Sequence, residues 1–84
     1  MEKNYDELIE ILQKLSFLRY DLVNGVFDNN INDNMKDNLI IIIKKIDEIL
    51  EMIFNIKLAK IRKKDLQKIK EEVQKIQKKI EEIS

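Results

Sequence analysis

Apolar side chains recur at intervals of three and four residues through most of this chain, and across its 84 residues only one glycine and no proline interrupt them. That spacing returns a side chain to the same side of a helix once per turn, whereas a strand needs alternation at two. With the usual breakers almost missing, helix is the one regular structure the chain is equipped to form throughout. An all-α fold is expected, its apolar faces buried against one another.

Helix 1 is expected from about Asn4 to Asn24. Tyr5, Leu8, Ile9, Ile11, Leu12, Leu15, Leu18, Tyr20, Leu22 and Val23 cover an arc of about 200° at 100° per residue, more than one neighbouring helix can cover. Asn24-Gly25 suits a helix stop, because glycine tolerates the left-handed conformation that ends many helices. Residues 26–33 are dense in turn and cap residues. Asn32 or Asp33 can accept a hydrogen bond from the free N–H groups of the next helix, and Asp37 adds charge favourable to its N-terminal dipole.

Helix 2 is expected from about Asn34 to Lys60, with Leu39, Ile42, Ile46, Ile49, Ile53 and Ile56 on one stripe. Ile43, Leu50 and Phe54 widen that stripe to about 160°. The run Leu39 to Ile43 has strand propensity, but the helical period persists well beyond it and decides for helix. Helix 3, about Leu66 to Ile83, carries Leu66, Ile69, Val73, Ile76, Ile80 and Ile83 in a narrow seam of about 100°, as in coiled coils.

The seams of helices 2 and 3 are out of register. Extending the first forward lands on Lys60 and Lys63, and extending the second backward lands on Arg62 and Asn55. A turn with Asp65 as N-cap resolves this and gives a three-helix antiparallel bundle with coiled-coil-like packing, a single helical domain over residues 1–84. One long bent helix is the alternative.

The missing residue types restrict chemistry. There is no His, Cys, Thr or Trp, which excludes Cys/His zinc sites, disulfides, thiol nucleophiles and His-centred triads. Ser16 and Ser84 are the only hydroxyls beside Tyr5 and Tyr20, with no base of suitable pKa beside them, and a pair such as Glu71 and Glu72 points to different sides of a helix. No enzyme, cofactor or metal is expected. Asp28-Asn29-Asn30-Ile31-Asn32-Asp33 superficially resembles a calcium loop. Its sixth place is Asp33 rather than Gly and its twelfth Leu39 rather than Glu, so capping is the expected role.

The opening residues Met1 to Glu7 lack the basic stretch and apolar run of a secretory signal. The longest apolar run, Leu39 to Ile43, falls far short of the roughly twenty residues a membrane span needs. No membrane partner is expected, and the expected location is cytoplasmic. The abundance of Ile, Lys, Asn and Glu suits an AT-rich genome, such as that of a low-GC bacterium, its phages or its plasmids.

Charge is balanced overall but not along the chain. Residues 1–56 hold six Lys or Arg against eleven Asp or Glu, and residues 57–79 hold ten against three. Lys57, Lys60, Arg62, Lys63, Lys64, Lys68 and Lys70 form the densest stretch, a candidate nucleic-acid-binding segment. It has one arginine and no interleaved aromatic for base stacking. A solvated face paired with the acidic half of the same chain or of a second subunit is the favoured reading.

Candidate partner-binding residues are those that break the helical patterns. Arg19 projects from near the middle of the helix 1 apolar arc, where it reaches the rim or a carboxylate, and Phe17 projects from its polar arc as a candidate anchor. Ile40, Ile41 and Met52 lie outside the helix 2 stripe. Ile41 and Met52 make a second strip, buried between helices 1 and 3 or forming a homodimer seam. Through Leu18-Arg19 in helix 1 and a stretch of helix 2, the hairpin of these helices resembles the small aspartyl-phosphate phosphatases, which carry Ser-Gln-x-Leu-Asp in the second place. Here the stretch is Ile43-Lys44-Lys45-Ile46-Asp47, without the Ser and Gln, and the activity does not carry over.

The expected function is a non-enzymatic protein-protein interaction module: a small inhibitor or adaptor, of the anti-defence type that phages or plasmids encode, binding a larger protein or complex. A nucleic-acid or ribonucleoprotein binder acting through residues 57–70 is the runner-up, and a structural self-assembling coiled coil the third reading.

Overall fold

The computed structural model describes residues 2–57 and 60–83. It is all-α, with three helices: α1 (Glu2–Val26), α2 (Asp33–Asn55) and α3 (Lys63–Ile83). No strand occurs among the described residues. α2 packs against both other helices, and α1 and α3 touch each other less.

The core follows from the apolar spacing. Leu8, Leu15 and Leu22 recur every seven residues on α1, and Ile42, Ile46, Ile49 and Ile53 line one side of α2. Leu66, Ile69 and Ile76 come from α3, and Ile61 joins them from the α2–α3 connection. Every buried side chain is Leu or Ile, and no polar or charged group is buried among the described residues. Burying one such side chain contributes about 1.5–3 kcal/mol, so this layer holds the helices together. The result is a rod of 45 × 19 × 17 Å.

The helix ends differ from those expected from the sequence. α1 runs through Asn24-Gly25 to Val26, and no glycine has positive φ. Gly25 is instead where α1 comes close to α2: a Cβ there would lie 3.1 Å from Leu39 Cδ1. Beyond it the Asp28 N–H donates to the Gly25 carbonyl and closes a turn. Asn32 is the N-cap of α2, its side chain accepting from Met35 N at 2.8 Å, and Asp33 stands in the first turn.

α2 stops at Asn55 rather than near Lys60, because Ile56 leaves the helix in an extended conformation with its N–H on the Ile53 carbonyl. Leu58 and Ala59, which the expected helix 2 spans, lie outside the described residues, as does Ser84. α3 begins at Lys63, three residues earlier than expected. The Arg62 carbonyl accepts from the N–H groups of Asp65 and Leu66, so Asp65 is not the N-cap but a first-turn acid, with its carboxylate 3.3 Å from Arg62 Nε. The turn thus falls before the basic stretch ends. It lets Ile61 turn inward, and Asn4 Nδ2 at the start of α1 donates to the Ile61 carbonyl at 3.2 Å.

Candidate functional site

None of the five aromatic residues enters the core. Tyr5 is 43% exposed, Phe17 73%, Tyr20 66%, Phe27 79% and Phe54 72%. Tyr5, Tyr20 and Phe54, which the sequence places within apolar arcs, therefore stand outside the packed layer. Aromatic rings carry the largest apolar areas of any side chain, and here all of them are left to solvent while smaller aliphatic groups fill the interior.

Three of the five, Tyr5, Tyr20 and Phe54, gather on one side of the rod. At about 100° per residue, Tyr5, Ile9, Ser16, Tyr20 and Val23 fall within about 60° of one another on α1, rotated away from the buried leucines. Phe27 follows in the turn at the end of the helix. On α2 the same construction groups Lys36, Ile40, Ile43, Asp47 and Phe54 within about 60°. The opposite flanks of both helices meet α3. Glu7 of α1 pairs with Lys70 at 3.1 Å, Ile11 and Leu18 line a groove with Val73, and Lys45 and Met52 of α2 line another with Glu72 and Lys75. The aromatic side is therefore the broad α1–α2 face turned away from α3.

One ion pair spans the two helices on that side. Arg19 Nε donates to Asp47 Oδ1 at 2.6 Å, with a second contact from its NH2 group to Oδ2 at 3.4 Å. The hydrogen bond to Asp47, reinforced by its charge, raises the Arg19 guanidinium above its ordinary range. Both side chains are nearly half exposed, 42% and 48%. Arg19 lies in the middle of the apolar arc because its stem crosses the α1–α2 seam to a carboxylate on the other helix. The same Asp47 is the residue that matches the phosphatase hairpin, and here it is taken up by this arginine.

The candidate partner-binding residues do not form one patch. Phe17 and Arg19 are both on α1, but Phe17 points to the outer side, about 90° round from the aromatic face. Ile40 joins Phe54 on the α1–α2 face. Ile41 is exposed and Met52 half-buried, and both lie on the α3 flank of α2, lining two separate grooves there. Tyr5, Tyr20, Phe27 and Phe54 are not among the candidates that broken patterns pick out. The sequence signal for them is the total width of the apolar arcs, which exceeds what three helices bury.

The seven cations of the basic segment are all exposed. Lys57, Lys60 and Arg62 surround the α2–α3 connection, and Lys63, Lys64, Lys68 and Lys70 follow on the first turns of α3. They diverge around that helix. Lys70 is paired with Glu7 of the acidic first helix and Arg62 with Asp65. In the α1–α2 loop, Asp28 Oδ1 accepts from Asn30 N and Asn32 Oδ1 from Met35 N, so two of the loop's oxygens are engaged with backbone. Among the described residues no helix is long and apolar enough to cross a membrane, and no group of three or more acidic side chains is placed to hold a metal. No protein-family model, curated protein or solved structure matches the chain.

Proposed function

We propose that this chain is a non-enzymatic protein-interaction module, an antiparallel three-helix bundle that acts as a small inhibitor or adaptor by docking its surface aromatics on another protein. The observation that carries the reading is the exclusion of all five aromatic side chains from the core. Left in water, each forgoes stabilisation that a buried ring supplies, and aromatic residues are the groups that most often anchor interfaces. The Arg19–Asp47 and Gly25–Leu39 neighbours support antiparallel α1 and α2, since the residue numbers rise on one helix as they fall on the other.

Photo-crosslinking in the cells that make the protein tests this reading. A photoreactive residue at Phe54 or Phe17 should yield a discrete crosslinked species, and the same residue at the outward-facing Lys78 of α3 should yield none. Equal, diffuse labelling from all three positions would sink it.

A nucleic-acid reading draws on the crowding of exposed cations at the α2–α3 end of the rod. Each phosphate neutralised would add about one unit to the slope of log affinity against log salt. Titration against random-sequence RNA and duplex DNA therefore decides it, and absence of binding at low salt removes it.

A further inference from the structure

The broad α1–α2 face is built to be covered, and its area and charge indicate by what. The chain exposes 6500 Å², against about 5,300 Å² expected for a compact protein of this mass. The two longest extents of the rod, 45 and 19 Å, bound a side of at most about 850 Å² in projection. A stable two-protein interface takes about 800 Å² from each partner. One face of this rod therefore suffices, and a chain with so lean an aliphatic core gains stability from covering it.

The charge pattern is self-complementary. Arg19 and Asp47 sit in the middle of the face and neutralise each other. Lys36 and Lys44 on α2 are matched by Asp33 and Glu51 towards its edge, and the exposed Asp6 at the outer edge of α1 adds one negative charge, by the same rotation of about 100° per residue. A face neutral at its centre, with about one net charge at its rim, meets its own copy with little of the repulsion that two strongly acidic or two strongly basic faces suffer. A two-fold axis running along the rod lays α1 of one copy over α2 of the other. Arg19 of each copy then comes over the partner's Asp47, and four charges alternate in sign, ringed by Tyr20, Ile40 and Phe54.

From this we infer that the occupant of the α1–α2 face is a second copy of the chain, giving a homodimer that buries Tyr5, Tyr20, Ile40 and Phe54. The inference rests on the interaction reading for these aromatics. It assigns them to self-association and leaves Phe17, off the face, displayed once per copy as the anchor for a different protein. Ile41 and Met52, on the α3 flank of α2, are outside the dimer seam.

Sedimentation of the full chain over a wide concentration range tests the inference. Wild type should convert from monomer to dimer. Phe54→Gln and Tyr20→Gln should each raise the dissociation constant by about tenfold or more, as loss of an interface anchor does, while Phe17→Gln and Ile41→Gln leave it unchanged. The chain has no cysteine, so a second measurement needs no background correction. The alkylation rate of Ser16→Cys, on the face, should fall as protein concentration rises, and that of Lys78→Cys should not.

A monomer at every concentration overturns the inference, as does a dimer that Ile41→Gln disrupts and Phe54→Gln does not. Failure here is distinguishable from failure of the interaction reading. A monomer whose Phe54 position still crosslinks to a different protein removes the second copy and keeps the docking face.

Discussion

Arg19 and Asp47 reach across the seam between α1 and α2 and meet at 2.6 Å, at the centre of the face that α3 leaves open. An exposed pair of this kind contributes little to stability, and it marks the level at which the two helices, held by the Leu and Ile layer, stand side by side. Asp47→Asn and Arg19→Gln should each lower the thermal midpoint slightly at low salt, and the double variant should lose no more than either single one. At about 1 M salt the Debye length falls to roughly 3 Å and the differences should vanish. Effects that survive high salt undiminished would mean that the pair acts by packing rather than by charge.

Gly25 is helical with no positive φ, so its lack of a side chain serves proximity to Leu39 rather than a turn. Alanine at a helical glycine gains up to about 1 kcal/mol from a less flexible unfolded chain. The added Cβ meets only the end of the half-buried Leu39 side chain, at 3.1 Å, and that methyl can rotate aside. Gly25→Ala should therefore stabilise the protein modestly in urea, and Gly25→Val should destabilise it because its branches cannot be accommodated by one rotation. A loss on Gly25→Ala would show that the helices cannot give way there.

Asn32 and Asp33 are neighbours with separate tasks at the start of α2. Asn32 Oδ1 satisfies the Met35 N–H directly, and Asp33 contributes charge near the helix dipole. Asn32→Ala should cost about 1 kcal/mol, the ordinary value of a lost cap. Asp33→Asn should cost less, in the range of about 0.3–1 kcal/mol, with a difference that shrinks in salt. Denaturant titrations of the two variants separate the roles, and a reversed order would make Asp33 the working cap.

Much of the core is legible in the amino-acid sequence. Leu8, Leu15 and Leu22 announce their buried side by recurring every second helical turn, and Ile46 and Ile69 follow from the same rule. The α2–α3 turn falls earlier than the sequence suggests because Ile56 and Ile61 are apolar and no Gly or Pro marks the break. α2 ends where Ile56 turns extended with its N–H on the Ile53 carbonyl, and further on Ile61 packs inward with Asn4 donating to its carbonyl. Periodicity also cannot say how many neighbours a helix has. Tyr5, Tyr20 and Phe54 fit their apolar arcs by angle, yet two neighbours per helix cover only part of each arc and these rings fall outside. Asp47 as the partner of Arg19 is likewise invisible to spacing, since the two residues stand on different helices and no local pattern joins them.

A comparison of Ile46 with Phe17 tests the division between an aliphatic interior and aromatic surface. Ile46 is fully buried in the middle of α2, and Phe17 is 73% exposed and stands off the α1–α2 face. Truncating Ile46 to alanine removes its contacts and leaves a cavity among Leu and Ile side chains that can only partly relax, at a cost of about 2–5 kcal/mol. For a chain this short that is a large share of a total stability of about 5–15 kcal/mol. Phe17→Ala removes a larger side chain but exchanges solvent for solvent, and should stay within about 0.5 kcal/mol of wild type. Urea unfolding followed by helical circular dichroism measures both. A Phe17→Ala protein destabilised as severely as Ile46→Ala would place that ring in the structural core, and the case for aromatic docking anchors would lose its footing.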